Sequence, residues 1–600
     1  MTKKTSKDPT DQFIKSTSKW MRVLAGPGTG KSFCLKQRIL HHVRDEHVAP
    51  ERILVLTFTS VAAQDLRNDI TKLSNDNPGL QLDHVEVSTL HALALKQLEK
   101  EKHSVRKMED FEIETMLRDL EPKTGGKINN KKEFIDRRIG LDGGANPITD
   151  EEVAFAKSLK VWLKQHRGLI LDNLIPYMCE YLQKNNAARK RLCYDRVLVD
   201  EYQDLNPDAR KYVELLTSKR GKLAVIGDDD QAIYSFKGAL PDGIQDFVTD
   251  HPGCEDIRFT VCRRCPTEVV ASADKLIKHN KNRIDKEFVP YSDNQPGSVD
   301  VLIEDTPGDE LNRLCDVIQA ERNSSTPPTV VVMAPGKNRK MEMYRKLKAA
   351  GIPVELCKRG ALLKSKAVRE NISYLTLAAN PNDMVSWRYL LGGDKSDKRS
   401  APSYRFFREA AKKERREILD VLEECASGQR TISHTSALVN RYKDIKENLE
   451  ALRTDPYHLF KILGPDEPQY EAVLHTAFHD KLSTEGFAGV RRLVLEKVYS
   501  SEAFAASDKV RIMTMHAAKG LSAQMVIIMS AVEGLIPQAG SGTIEEQRRL
   551  FYVAITRCKG GKVGEYPGKL IISSYSKSED KTKIYTPTRF ILEMGSGSII

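Results

Sequence analysis

The chain has 600 residues, too many for one hydrophobic core, and at roughly 150 residues per domain it predicts about four structural units. With 40% hydrophobic and 30% charged residues, no run near the ~20 apolar residues of a membrane span, and a charged start (Met1-Thr-Lys-Lys-Thr-Ser-Lys-Asp8) without an apolar h-region, a globular cytoplasmic protein with no membrane partner is expected. Lys and Arg number 94 against 83 Asp and Glu, a net +11 that suits a polyanion partner without requiring one, and ten scattered cysteines make no disulfide framework.

Gln12 stands ahead of the first predicted strand, where its amide could both donate to and accept from adenine, or simply lie on the surface. The apolar run Met21-Arg-Val-Leu24 then leads into Ala25-Gly26-Pro27-Gly28-Thr29-Gly30-Lys31-Ser32, followed by the helical pattern Phe33 to Leu40. Strand, glycine-rich turn and helix bring backbone N–H groups and a positive helix end around phosphates, with Lys31 on the outer phosphates and the Ser32 hydroxyl on Mg²⁺. This is a nucleoside-triphosphate cradle. Ala25 stands where the strict pattern has Gly, and a purely structural glycine turn is the alternative.

Arg52 to Thr59 and Val85 to His91 are further apolar strands, each followed by a helical stretch (Val61 to Leu73, Ala92 to Glu99), which indicates a parallel α/β sheet. Thr57, Phe58, Thr89 and His91 fall just beyond their carboxyl ends, where such sheets bind ligands. Residues 101–190 change to charged helix formers, a helical insertion broken at Thr124-Gly-Gly126 and Gly143-Gly144. The sheet resumes at Arg196-Val-Leu-Val-Asp200-Glu201, whose tip carries two carboxylates: Asp200 to hold Mg²⁺ and Glu201 to orient and deprotonate the attacking water, or else an acidic turn. A strand from Leu223 delivers Gln231, placed to sense the γ-phosphate, and then Tyr234, Phe236 and Lys237, a stacking platform with a phosphate contact or ordinary core residues. His251, Cys254, Cys262 and Cys265 have a spacing open to zinc, though a lone CxxC pair is a weak signal.

Later segments complete an ordered series. Cys262-Arg263-Arg264-Cys265-Pro266, Gly351-Ile-Pro353, Leu377-Ala-Ala-Asn380-Pro381, Val510-Arg-Ile-Met-Thr514-Met-His516-Ala-Ala-Lys519-Gly520-Leu521 and Glu545-Glu-Gln-Arg-Arg549-Leu-Phe-Tyr552-Val-Ala-Ile-Thr556-Arg557 follow in turn. With the P-loop and the acidic strand tip, this set resembles the UvrD/Rep-like superfamily 1 helicases over about residues 8–390 and 505–592.

The resemblance implies an α/β fold: two RecA-like P-loop NTPase domains, parallel sheets flanked by helices, with two mainly helical inserted subdomains. The expected segments are 1–100 with 191–258, the insertion 101–190, 259–382 with 505–600, and a second insertion 383–504, shorter than the family's regulatory one. It implies an ATP- and Mg²⁺-dependent DNA helicase or translocase moving 3′ to 5′ on single-stranded DNA and at junctions with duplex. Lys31, Glu201, Gln231, Arg264 and Arg557 would be catalytic, Gln12, residues 25–32 and Arg263 would hold ATP, and Ser32 and Asp200 would hold Mg²⁺. The two arginines, from the second domain, would reach the γ-phosphate only when the cleft closes. Thr57, Phe58, Thr89, His91, Tyr234, Phe236, Lys237, Thr514 and His516 would line the DNA path.

Arg263 replaces the family's adenine-stacking Tyr, Ser522 its Glu, and Lys237 its Arg, without removing a core catalytic group. Two other readings stay open at this level: a motor that unwinds poorly alone and serves a nuclease or repair partner, and a nucleic-acid-binding scaffold with a degenerate ATPase.

Overall fold

The computed structural model describes residues 8–101, 105–120, 150–235, 238–356, 361–394, 396–397, 400–464, 466–499, 508–540, 542–562 and 564–595. These form two compact units. The first takes the described residues within Met1–Gln97, Ile175–Cys357 and Ala503–Ile600 and contains two six-stranded sheets.

The strands of the first sheet are β1 (Trp20–Ala25), β2 (Ile53–Thr57), β3 (Glu86–Thr89), β4 (Tyr194–Val199), β5 (Thr217–Gly227) and β6 (Glu255–Phe259). Their order is β3–β2–β4–β5–β1–β6, and every neighbouring pair is parallel. Helices cover both faces, so a strand such as β2 is an unbroken apolar run with all five residues buried. The register sets Leu24 beside Gly227, Leu56 beside Val199 and Thr57 beside Thr89. The carboxyl ends therefore share one edge, and the loops leaving it form the crevice in which open parallel sheets bind ligands.

The second sheet contains β7 (Ser298–Glu304), β8 (Val330–Met333), β9 (Val354–Leu356), β10 (Val510–Met513), β11 (Met525–Ile528) and β12 (Lys569–Tyr575), ordered β7–β12–β11–β8–β10–β9 and again all parallel. Alternate residues face two cores. Val331, Val526 and Ile528 pack with Phe551 and Val270, whereas Val330, Val332 and Ile527 pack with Leu314 and Leu347. The helix after β7, Pro307–Arg322, opens with a capping box in which Thr306 and Asp309 satisfy each other's backbone N–H groups.

The second unit is helical and takes the described residues within Leu98–Leu174 and Lys358–Glu502. Helices Asp110–Leu120 and Asp150–His166 come from the first insertion; Lys366–Ala379, Met384–Leu390, Ser400–Glu414 and Pro468–Tyr499 come from the later segment. Buried charge ties the two stretches together. The Arg388 guanidinium donates to both Asp119 oxygens at 2.8 and 2.7 Å, and the Trp162 indole donates to the same carboxylate at 3.0 Å. Arg106 donates to Glu112 at 2.8 Å and to Asp383 at 2.6 Å.

This division differs from the expected segments. Residues 361–382 pack with the helical unit and residues 175–190 with the sheets. The reason is burial: helix Lys366–Ala379 hides Val368, Ile372, Leu375 and Leu377 within the helical core, which motif spacing does not reveal. The breaks at Thr124-Gly-Gly126 and Gly143-Gly144 lie outside the described residues.

Candidate functional site

β1 ends at Ala25, which is fully buried and paired with Phe259, so the residue that departs from the strict P-loop pattern occupies a core position where a methyl group fits. The turn that follows needs glycine twice. Gly28 has φ +73°, and a Cβ there would lie 2.6 Å from Arg264 Cβ and 2.9 Å from Cys262 Sγ; Gly30 has φ +88°. Gly30 is the N-cap of helix Lys31–Arg44 and supplies no side-chain acceptor, leaving the first-turn N–H groups for an anion. Thr29 Oγ1 braces the turn by donating to the Gly26 carbonyl at 2.9 Å. Ser32 is exposed on the first helical turn.

Lys31 Nζ donates to Glu201 Oε1 at 2.8 Å. Burial pulls its pKa down, but the Glu201 and Asp200 carboxylates outweigh that and raise it. Glu201 follows the tip of β4 in a left-handed conformation, φ 55°, a strain of about 1–3 kcal/mol that aims its carboxylate at the P-loop. Its N–H donates to Asp200 Oδ1 at 2.9 Å.

From Glu201 a hydrogen-bonded relay crosses the strand tips. Gln203 Nε2 donates to Glu201 Oε2 at 2.6 Å, the Asp228 N–H donates to Gln203 Oε1 at 3.0 Å, and Gln231 Nε2 donates to Asp228 Oδ2 at 2.9 Å. Lys519, from the second sheet's loops, completes it by donating to Asp204 Oδ2 at 2.6 Å and to the Gln231 carbonyl at 2.9 Å, 3.6 Å from Glu201. Burial raises Asp200 to about 6 and Asp204 to about 7, against the pull of Lys31 and Lys519 respectively. Glu201 feels the same burial, yet Lys31 and Lys519 together hold it well below the carboxylate range. Gln203, Asp204 and Lys519 carry no role in the sequence reading. Their signal is faint: polar residues one turn beyond a strand tip, which only the fold brings together.

Two arginines of the second sheet domain approach the same place. Arg264 Nη2 donates to the Thr556 carbonyl at 2.8 Å, while its buried Nε meets no acceptor among the described residues. Arg557 is buried; its Nε donates to the Val553 carbonyl at 2.9 Å, and burial, then the Arg264 charge, lowers it to about 9 while Glu201 pulls the other way. Among the described residues no carboxylate comes within ion-pair distance of either guanidinium. Crowded cations without a counterion, facing an uncapped helix start and a lysine, fit a polyphosphate. For magnesium, Asp200 offers a carboxylate that burial raises to about 6 against the pull of Lys31, and Ser32 an exposed hydroxyl.

The remaining candidates are placed as follows. The Arg263 N–H donates to the Gly28 carbonyl at 2.8 Å, and its guanidinium stacks 4.1 Å over the Tyr291 ring. Gln12 Nε2 donates to Glu255 Oε1 at 2.8 Å, so its amide is already engaged. Phe58 stacks on Tyr234 with ring centroids 4.8 Å apart, and the Lys519 ammonium lies 5.2 Å from the Tyr234 ring. Thr57 is buried and donates to the Thr59 carbonyl; Thr89 and Thr514 accept from the N–H groups of Ala92 and Ala517. His91 and His516 are exposed. Phe236 and Lys237 lie outside the described residues.

The open zinc reading fails. His251 packs against Trp20 and Phe247, and the Cys254 thiol donates to the Glu255 carbonyl, away from the Cys262–Cys265 pair. Among the described residues the group close enough to share an ion is Asp228, Asp229 and Asp230, and Lys286 and Arg283 already pair with it at 2.5 to 3.1 Å.

Comparison with known proteins agrees along the chain. Residues 7–127 and 127–252 match the UvrD/REP helicase N-terminal domain, and residues 257–464 and 469–562 match the UvrD-like helicase C-terminal domain. The chain is 25% identical to the ATP-dependent DNA helicase PcrA of Leuconostoc citreum, over 97% of this chain and 84% of that protein. It is 24% identical to DNA helicase II of Escherichia coli, over 95% and 85%. It is 23% identical to the ATP-dependent DNA helicase Rep of Buchnera aphidicola, over 95% and 94%.

Proposed function

Because the chain belongs to the UvrD/Rep helicase family, we propose that it is an ATP-dependent DNA helicase that translocates 3′ to 5′ along single-stranded DNA. One observation carries the reading. Lys519 bonds to the Asp204–Gln231 side of the relay and also lies over Tyr234, which stacks on Phe58, so nucleotide chemistry and a ring platform share one cation.

The uncapped helix start and Lys31 bind the phosphates, and Ser32 and Asp200 hold magnesium, which screens phosphate charge when bound. Glu201, kept ionised by two lysines, accepts the proton of the attacking water. Arg264 and Arg557 stabilise charge spreading onto the phosphoryl oxygens, a contribution on the order of 10³-fold or more. A nucleotide displaces Lys31 from Glu201, which resets the relay through Gln203 to Gln231 and the bonds of Lys519, and so the grip at Tyr234 and Phe58. Aromatic stacking accepts any base, which suits sequence-independent stepping. The working substrates on this reading are cytoplasmic single strands and their junctions with duplex.

The test is ATP turnover with and without single-stranded DNA, together with unwinding of tailed duplexes. Stimulation by DNA and preference for a 3′ tail are expected. Turnover indifferent to DNA would remove the motor reading, and a 5′ preference would reverse the direction.

A further inference from the structure

Cys262 and Cys265 flank Arg264, and the turn that carries them is pinned shut. The Cys265 N–H points at Cys262 Sγ, 3.4 Å away. A single side-chain amide, Asn294 Nδ2, donates to the carbonyls of both Cys262 and Cys265, at 2.7 and 2.9 Å, which holds the two residues face to face. Both side chains are fully buried; Cys262 lies beneath the P-loop at Gly28, and Cys265 Sγ is 3.4 Å from the Thr556 carbonyl, the oxygen that anchors Arg264.

We propose that Cys262 and Cys265 form a reversible disulfide on exposure to peroxide, and that the oxidised pair slows ATP turnover by shifting the anchorage of Arg264 and Arg557. The neighbouring charges assist: the Cys262 thiol, as hydrogen-bond donor, brings the Cys265 thiol down to about 6 against its burial, and the Arg264 and Arg557 cations act in the same direction. The Cys265 thiolate attacks one peroxide oxygen and breaks the O–O bond, giving a sulfenic acid and, with a proton, water. The Cys262 sulfur then attacks that sulfur, forming the S–S bond and expelling hydroxide, which takes up the second thiol proton. Two thiols are oxidised by two electrons, and one peroxide becomes two waters. Burial restricts the reaction to a small oxidant. Bond formation draws the Cys265 sulfur away from Thr556, whose carbonyl anchors Arg264.

The existence of the disulfide is independent of the function proposed above, whereas its effect on turnover rests on that reading, and the experiment separates them. The full-length protein is reduced, treated with hydrogen peroxide, alkylated with iodoacetamide and cleaved with trypsin, which cuts after Arg258, Arg263 and Arg264. Mass spectrometry is expected to find Phe259–Arg263 joined to Cys265–Lys275, separating on treatment with dithiothreitol. DNA-stimulated ATP turnover is expected to fall about tenfold, within the orders of magnitude that arginine placement controls, and to return with dithiothreitol. A Cys265→Ser variant is expected to keep its turnover in peroxide. Recovery of both peptides fully alkylated, or Cys265 linked instead to the Cys558–Lys559 peptide, would overturn the disulfide. Linked peptides with unchanged turnover, or equal peroxide sensitivity in Cys265→Ser, would overturn the control it exerts.

Discussion

Buried charge is handled in opposite ways in the two units. In the helical unit Arg388 finds Asp119 in a two-pronged pair, and Arg106 finds both Glu112 and Asp383. Both of these guanidinia are matched by carboxylate. At the sheet edge Arg264 and Arg557 crowd together without a carboxylate, Asp200 and Asp204 are pushed up to about 6 and 7, and Glu201 sits in strained backbone. Arg388 and Arg106 thus differ from Arg264 and Arg557 in whether a carboxylate satisfies their charge. A pair completed internally orders the fold; an uncompleted one is held ready for a partner.

The sharpest way to break this contrast is Arg557→Ala. It should lower DNA-stimulated ATP turnover by about 10³-fold or more while the melting curve scarcely moves, and Arg557→Lys should recover little because a point charge lacks the planar fork. Asp119→Ala should do the reverse. Leaving Arg388 buried without its partner should cost about 3–5 kcal/mol in denaturant melts, whereas the paired replacement Asp119→Leu with Arg388→Met should restore most of it.

A third test uses pH. His166 Nδ1 faces the Trp162 carbonyl and Nε2 the Tyr404 hydroxyl, both at 2.8 Å, and burial lowers its pKa from 6.5 to about 3. Between those values the unfolded chain binds a proton that the folded chain refuses, so stability falls as pH falls through that window. Urea melts at pH 7 and pH 5 should show the loss, and His166→Gln should flatten it. The smallest expected effect is Thr306→Ala, which removes half of a capping box in the second sheet domain and should cost about 1 kcal/mol without changing turnover.

Most of the candidate residues were named before any coordinates. Lys31, Glu201, Gln231, Arg264 and Arg557 stand next to local signals that survive in one dimension: a glycine turn, an acidic strand tip, an ordered set of motifs. What escaped were residues whose meaning is a partner elsewhere. Arg263, expected to hold ATP in place of the family's adenine-stacking Tyr, lies on Tyr291, and Gln12, read as an adenine contact or a surface residue, is held by Glu255. Residues 361–382 carry a motif that aligned with the second sheet domain but an apolar surface that fits the helical core.

Sequence alone therefore pointed to parallel α/β sheets and to a glycine-rich turn after the first strand, because hydrophobic period and turn chemistry act over a few residues at a time. Tertiary structure alone decided which buried charges are paired, that Lys519 bridges the relay and the ring platform, and that two cysteines face each other under the P-loop. Those depend on burial and on distances between segments far apart along the chain, which no local pattern encodes.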